Sequence, residues 1–143
     1  MVLDHHVADD LTQDVFAKAW RSLDSFRGQA TFATWLHRIA LNAAYEYLRR
    51  SDRRRTSVIS EGSVDDTATG PHTAVIQSEK TAHIATALGL LTPKLRSAIV
   101  LTTMQGLPAT TVAEIEDCSV GTIYWRMHEA RRQLREELKD WIE

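Results

Sequence analysis

Little in this chain could act as covalent or metallic scaffolding. Cys118 is its single cysteine, so no internal disulfide framework exists and a reducing compartment fits it best. Of the six histidines, His5 and His6 are adjacent and His37, His72, His83 and His128 are scattered. No His-x3-His or Cys-x2-Cys pair occurs, so no helix turn offers two metal ligands together and no metal site is expected. A glycine-rich phosphate loop and a Gly-x-Ser-x-Gly elbow are also missing, so neither a catalytic residue nor a cofactor is expected. No apolar run approaches the roughly 20 residues that a bilayer-spanning helix needs. The first residues lack the basic-then-apolar order of a secretory leader. These absences lead us to expect a cytoplasmic protein without membrane insertion. Charge excess is small as well: 17 Lys and Arg stand against 19 Asp and Glu, a formal net charge of −2. Any contact with nucleic acid must therefore rest on local patches and not on bulk charge.

The most informative stretch is Thr110 to Leu138, TTVAEIEDCSVGTIYWRMHEARRQLREEL. Val112, Ala113 and Ile115 mark a short apolar helix, and Asp117-Cys118 a turn. Ser119 is a good N-cap for a second helix, because its hydroxyl can accept from a backbone N–H one turn further on. Val120, Ile123, Met127 and Leu134 repeat at helical spacing and point one side inward. Thr122, Trp125, Arg126, Arg131 and Arg132 fall on the other side. Two helices across a tight turn, the second amphipathic and rich in arginine, describe a helix-turn-helix. In DNA readers of that kind the second helix enters the major groove with its N-terminal residues foremost. An ordinary helical hairpin shares the pattern, so this stretch alone leaves both readings open.

Earlier in the chain, a helix is expected from about Asp9 to Leu23, with Leu11, Val15, Phe16, Trp20 and Leu23 as its apolar side and Asp9 and Asp10 at the positive end of its dipole. A loop with Gly28 follows. Thr31 can cap a second helix reaching about Arg50, its buried side formed by Trp35, Leu36, Ile39, Ala40, Ala43 and Tyr47. Thr34, His37, Arg38, Asn42 and Arg49 are expected on the outer side. Arg49 to Arg55 holds five arginines, which suit a helix C-terminus, a solvated linker or phosphate contact. From Thr56 to His72 the composition turns to Ser, Thr, Asp and Gly, as in a flexible linker. A helix over Thr73–Leu90 is expected next. Thr92-Pro93 then opens a helix ending at Gly106, and Pro108 opens the helix-turn-helix. The expected fold is all-α, with residues 1–55 and 73–143 as two small helical domains and 56–72 between them, behaving as separate modules.

Three strings now carry a resemblance: DLTQDVFAKAW, FRGQATFATWLHRIALNAAYEYLRR, and LTPKLRSAIVLTTMQGLPATTVAEIEDCSVGTIYWRMHEARRQL. Together they resemble bacterial RNA polymerase sigma factors of the extracytoplasmic-function group. The resemblance implies a partial, shortened region 2 in residues 1–55 and a four-helix region 4 in residues 73–143. It implies an alternative sigma factor that directs RNA polymerase core to promoters and is not itself an enzyme. Asp10, Gln13, Asp14 and Trp20 match the segment that docks on the β′ clamp helices, and region 4 implies contact with the β flap. Phe26, Phe32, Trp35, Arg38, Asn42 and Arg49 match the part of region 2 that opens the −10 element and holds a flipped base. Thr122, Tyr124, Trp125, Arg126 and Arg131 match readers and phosphate clamps of the −35 element. Promoter DNA and RNA polymerase core are thus the implied partners, with an anti-sigma factor as a further candidate.

The chain departs from the family's pattern in three places. Asp117 stands where a turn glycine is usual, and Asp tolerates a left-handed backbone better than most residues. Tyr124-Trp125 replaces a polar pair, which points to thymine methyls or to a protein surface. MVLDHHVAD is shorter than the one to two helices that usually precede DLTQDVF. Two further readings follow, a helix-turn-helix regulator that does not initiate transcription and a protein-interaction module.

Overall fold

The computed structural model describes residues 1–60 and 79–139. Among these the fold is all-α, with six α-helices in the order α1 (His5–Ser22), α2 (Phe32–Ser60), α3 (Glu79–Leu90), α4 (Pro93–Ile99), α5 (Ala109–Glu116) and α6 (Val120–Glu137). A 3₁₀ turn, Leu23–Ser25, follows α1, and a π turn, Val100–Met104, continues α4.

The caps explain most boundaries. Asp4 accepts from the backbone N–H groups of His6 and Val7 and starts α1 earlier than the acidic pair Asp9-Asp10 led us to expect. Thr31 Oγ1 accepts from the Thr34 N–H at 3.2 Å and starts α2 as expected. Gly28 and Gly106 adopt positive φ (70° and 68°), which lets the chain turn after α1 and after the π turn. Asp117 closes α5 in the left-handed region at φ 51°, while the Cys118 N–H returns to the Ala113 carbonyl at 3.1 Å. Ser119 then caps α6 through the Thr122 N–H.

α2 runs 29 residues to Ser60, well past the expected end near Arg50 and into the span read as linker. Nothing before Gly62 breaks a helix, and the Glu46–Arg50 ion pair ties successive turns together. The rest of that span, 61–72, and the start of the helix expected from Thr73 lie outside the described residues.

Two apolar clusters hold the fold. In the first, Leu88, Leu91, Leu95, Ile99 and Ala130 join α3, α4 and α6, with Val100 and Leu134 packed at its margin. In the second, Leu101, Val112, Ala113, Ile115 and Ile123 join the π turn, α5 and α6, and Leu41 from α2 completes it. Leu41 is only 6% exposed there. Separate modules would leave this side of α2 bare; the structure instead closes it on the helix-turn-helix. α1 covers another side of α2.

Two expected faces differ from those observed. On α1 the buried residues are Val15 and Ala19, whereas Phe16, Trp20 and Leu23 remain exposed, Trp20 at 80%. A helix packed chiefly on one neighbour buries a stripe narrower than this apolar face. On α2, Thr34 is buried, its hydroxyl joined to Thr31, and the deeply buried positions are Leu41, Ala43 and Ala44. The two neighbours grip α2 from different sides, so burial does not follow a single stripe.

Candidate nucleic-acid interface

The outer face of α6 presents Tyr124 and Trp125 to solvent, 61% and 63% exposed, with Arg131 exposed one to two turns further on. Thr122 is half-buried, its hydroxyl 2.9 Å from that of Ser119. Ile123 and Ala130, both fully buried, fix the rotation of α6 and hence which residues look outward. Arg126 does not join the outer set. Its side chain is 15% exposed and turns back toward Glu116, Nη1 lying 3.3 Å from Oε2.

Glu116 anchors a polar cluster that spans four helices. Its side chain is fully buried. Lys94 Nζ, at the start of α4, donates to Oε2 at 2.7 Å, and the Ser97 and Tyr45 hydroxyls converge on Oε1. Lys94 also sits 4.0 Å above the Tyr45 ring. Burial pushes the Glu116 carboxyl up, but hydrogen bonds from Lys94, Ser97 and Tyr45 outweigh it and leave the carboxyl below its ordinary value. The Tyr45 phenol is pushed up, by burial first and then by the carboxylate beside it. The cluster is therefore an ionised glutamate held by two cations and two hydroxyls, and four of these five residues were not singled out by sequence. One signal was there to find: Glu116 lies four residues after Val112 and three after Ala113, on the buried side of α5, where a charge requires partners.

On the other half, Phe26, Phe32 and Trp35 come together as a trio of rings with centroids 5.3–5.7 Å apart. Phe32 is the more open edge of this trio. Arg38 is diverted as Arg126 is: its Nε donates to the Glu114 carbonyl near the end of α5 at 2.9 Å. Asn42 and Arg49 are exposed and line an open groove of about 1160 Å³ between α2 and the start of α4, shared with Asp52, Arg53 and Lys94. Asp10, Gln13 and Asp14 are exposed on α1, and Gln13, Phe16 and Trp20 follow one another along a single line of that helix. Among the described residues no group of His, Cys, Asp and Glu could hold a metal ion, and no helix is long and apolar enough to cross a membrane.

Comparison with known proteins decides the family. Residues 1–54 match the sigma-70 region 2 family and residues 82–134 match sigma-70 region 4. The ECF RNA polymerase sigma-E factor of Haemophilus influenzae is 34% identical over 139 residues, covering 91% of this chain and 74% of the relative. This chain belongs to the sigma-70 family, in its ECF group. The sigma-E factor of Escherichia coli K12 is likewise 34% identical, over 142 residues covering 93% of this chain and 74% of the relative. Among solved structures, the sigma factor RpoE of Bartonella quintana in complex with the anti-sigma factor NepR superposes with a TM-score of 0.76 at 33% identity, covering 96% of this chain and 84% of that one. CnrH in complex with the cytosolic domain of CnrY superposes with a TM-score of 0.68 at 28% identity, over 96% of this chain and 75% of that one.

Proposed function

We propose that this ECF-group chain works as an alternative sigma factor in the cytoplasm, binding RNA polymerase core and bringing it to promoters. The carrying observation is that both sigma regions occur in order on one chain whose likeness to sigma-E factors spans more than nine-tenths of its length. In this reading the protein catalyses nothing itself and supplies specificity to the polymerase that does. Thr122, Tyr124, Trp125 and Arg131 read or clamp the −35 element from α6, and Arg126 joins them as a phosphate contact once released from Glu116. The Phe26, Phe32 and Trp35 trio receives melted −10 bases, where stacking on an aromatic contributes about 1–3 kcal/mol per base. Arg38, Asn42 and Arg49 track the strand beside it. Asp10, Gln13, Asp14 and the exposed Trp20 dock on the β′ clamp helices, and region 4 meets the β flap. An anti-sigma factor is a further proposed partner, since the matched RpoE structure is a complex with the anti-sigma factor NepR.

Run-off transcription with core polymerase on a genomic promoter library tests this. Transcripts that require the added protein and share upstream sequence elements are expected. Duplex binding without any transcript would favour the non-initiating regulator instead.

A further inference from the structure

Glu116 and Lys94 have no task of their own in the reading above, yet they decide where Arg126 lies. Arg126 stands one turn beyond Thr122 along the same line of α6, so its long side chain can run outward beside the aromatic pair or inward. It runs inward, to a fully buried carboxylate that already has partners. Lys94 Nζ donates to Glu116 Oε2 at 2.7 Å, and the Ser97 and Tyr45 hydroxyls converge on Oε1. Arg126 Nη1 shares Oε2 with Lys94 from 3.3 Å, and this buried nitrogen is too poorly aligned to hydrogen-bond there.

We propose that Glu116 is a positioning residue that parks Arg126 inside the helix-turn-helix, that a DNA phosphate must displace this carboxylate to engage the arginine, and that Lys94 loosens the hold. Departure of Arg126 strands no charge, because Glu116 keeps Lys94 and both hydroxyls. Two cations on one carboxylate oxygen repel each other, and Lys94 has the shorter contact. A phosphate offers the planar guanidinium two aligned acceptors, a stronger arrangement than one poorly aligned oxygen. Glu129, the carboxylate three residues further along α6, is engaged by Arg132 and Gln133 and does not take the place of Glu116. Arg126, Glu116 and Lys94 all belong to the C-terminal half, so the exchange does not require opening the contact with α2. The competition with phosphate rests on the DNA-binding reading; the parked state does not.

The test uses the full chain with Glu116→Gln or Lys94→Met, each with Arg126 intact and with Arg126→Ala. Binding to a mixed-sequence fluorescent DNA duplex is titrated at several salt concentrations. Glu116→Gln removes the charge that holds Arg126, whereas Lys94→Met removes its rival, so the two changes act in opposite directions. Loss of a merely structural contact would weaken binding in both. If the parked form holds about nine-tenths of the molecules, Glu116→Gln tightens the apparent duplex affinity about tenfold. Lys94→Met weakens it severalfold, and both effects vanish with Arg126→Ala. Parking is read without DNA from the NMR signal of the Arg126 Nε–H, identified by its loss in Arg126→Ala. Its exchange with solvent is expected to be slow in the parent, slower in Lys94→Met and fast in Glu116→Gln. Should Glu116→Gln fail to fold, Lys94→Met decides both the parked state and the competition. Fast exchange in the parent overturns the parked state. Unchanged or weaker binding by folded Glu116→Gln overturns the competition, as does any effect of either change that persists with Arg126→Ala. Failure of every variant to bind duplex overturns the DNA-binding reading, and the Nε–H signal still decides the parked state.

Discussion

At the scale of single residues, Glu116 has the most consequences. Its carboxyl lies below its ordinary value of 4.5 in the folded chain, so the unfolded chain takes up protons first as pH falls. The stabilisation it provides is therefore complete above about pH 4.5 and fades as pH drops through the depressed folded value. Thermal unfolding as a function of pH should show the wild type more stable than Glu116→Gln at neutral pH, with the difference shrinking below about pH 4.5. An unchanging difference would contradict the ionised cluster. Arg126→Ala should weaken binding to every duplex about equally and lower the salt slope by roughly 1, measured by titration at several salt concentrations. Loss confined to one sequence would make Arg126 a base reader. Helical spacing placed Arg126 on the polar side of α6 and so hid its partner, because spacing reports a face and not a rotamer. Glu116 was legible as an anomaly on an apolar face, but the helix that supplies Tyr45 is 71 residues away in sequence.

At the scale of elements, local chemistry made much of the fold readable. Thr31, Ser119, Gly28 and Gly106 act where their side chains or backbone freedom indicate. Asp117 occupies the left-handed position usually given to glycine. Asp117→Gly should therefore stabilise the chain by about 0.5–1 kcal/mol, seen as a rise in thermal midpoint, provided α5 and α6 keep their caps. Ile123 is fully buried at the meeting of α5, α6 and α2. Ile123→Ala should cost about 2–5 kcal/mol in denaturant unfolding, whereas truncating the exposed Trp125 should leave stability nearly unchanged. The burial pattern of α1 and α2 was the less legible part. Phe16 and Trp20 share helical spacing with Val15 and Ala19, and only tertiary packing selects the latter as core.

At the scale of the whole molecule, the sequence made two units visible but not the contact between them. Each half has its own periodicity, whereas Leu41 makes sense only once α5 and α6 lie beside it. Residues 1–60 expressed alone should accordingly fail to show a cooperative thermal transition. Such a fragment would expose the Leu41 and Tyr45 side of α2 in addition to Phe16 and Trp20, and burial of one such large side chain contributes about 1.5–3 kcal/mol. A sharp, monomeric transition for that fragment would show that α1 and α2 suffice for each other.

The length of α2 gives this contact a mechanical aspect. Its 29 residues span about 43 Å, and the fifteen that follow Tyr45, up to Ser60, make up about 22 Å of that. A tilt of α2 about Tyr45, which contacts Glu116 of α5, would carry with it the arm that bears Arg49, Arg53, Arg54 and Arg55. A tilt of about ten degrees there displaces the far end by roughly 4 Å, more than the length of a hydrogen bond. Small rearrangements around one half-buried tyrosine would in this way be amplified into movement of an arginine-rich arm.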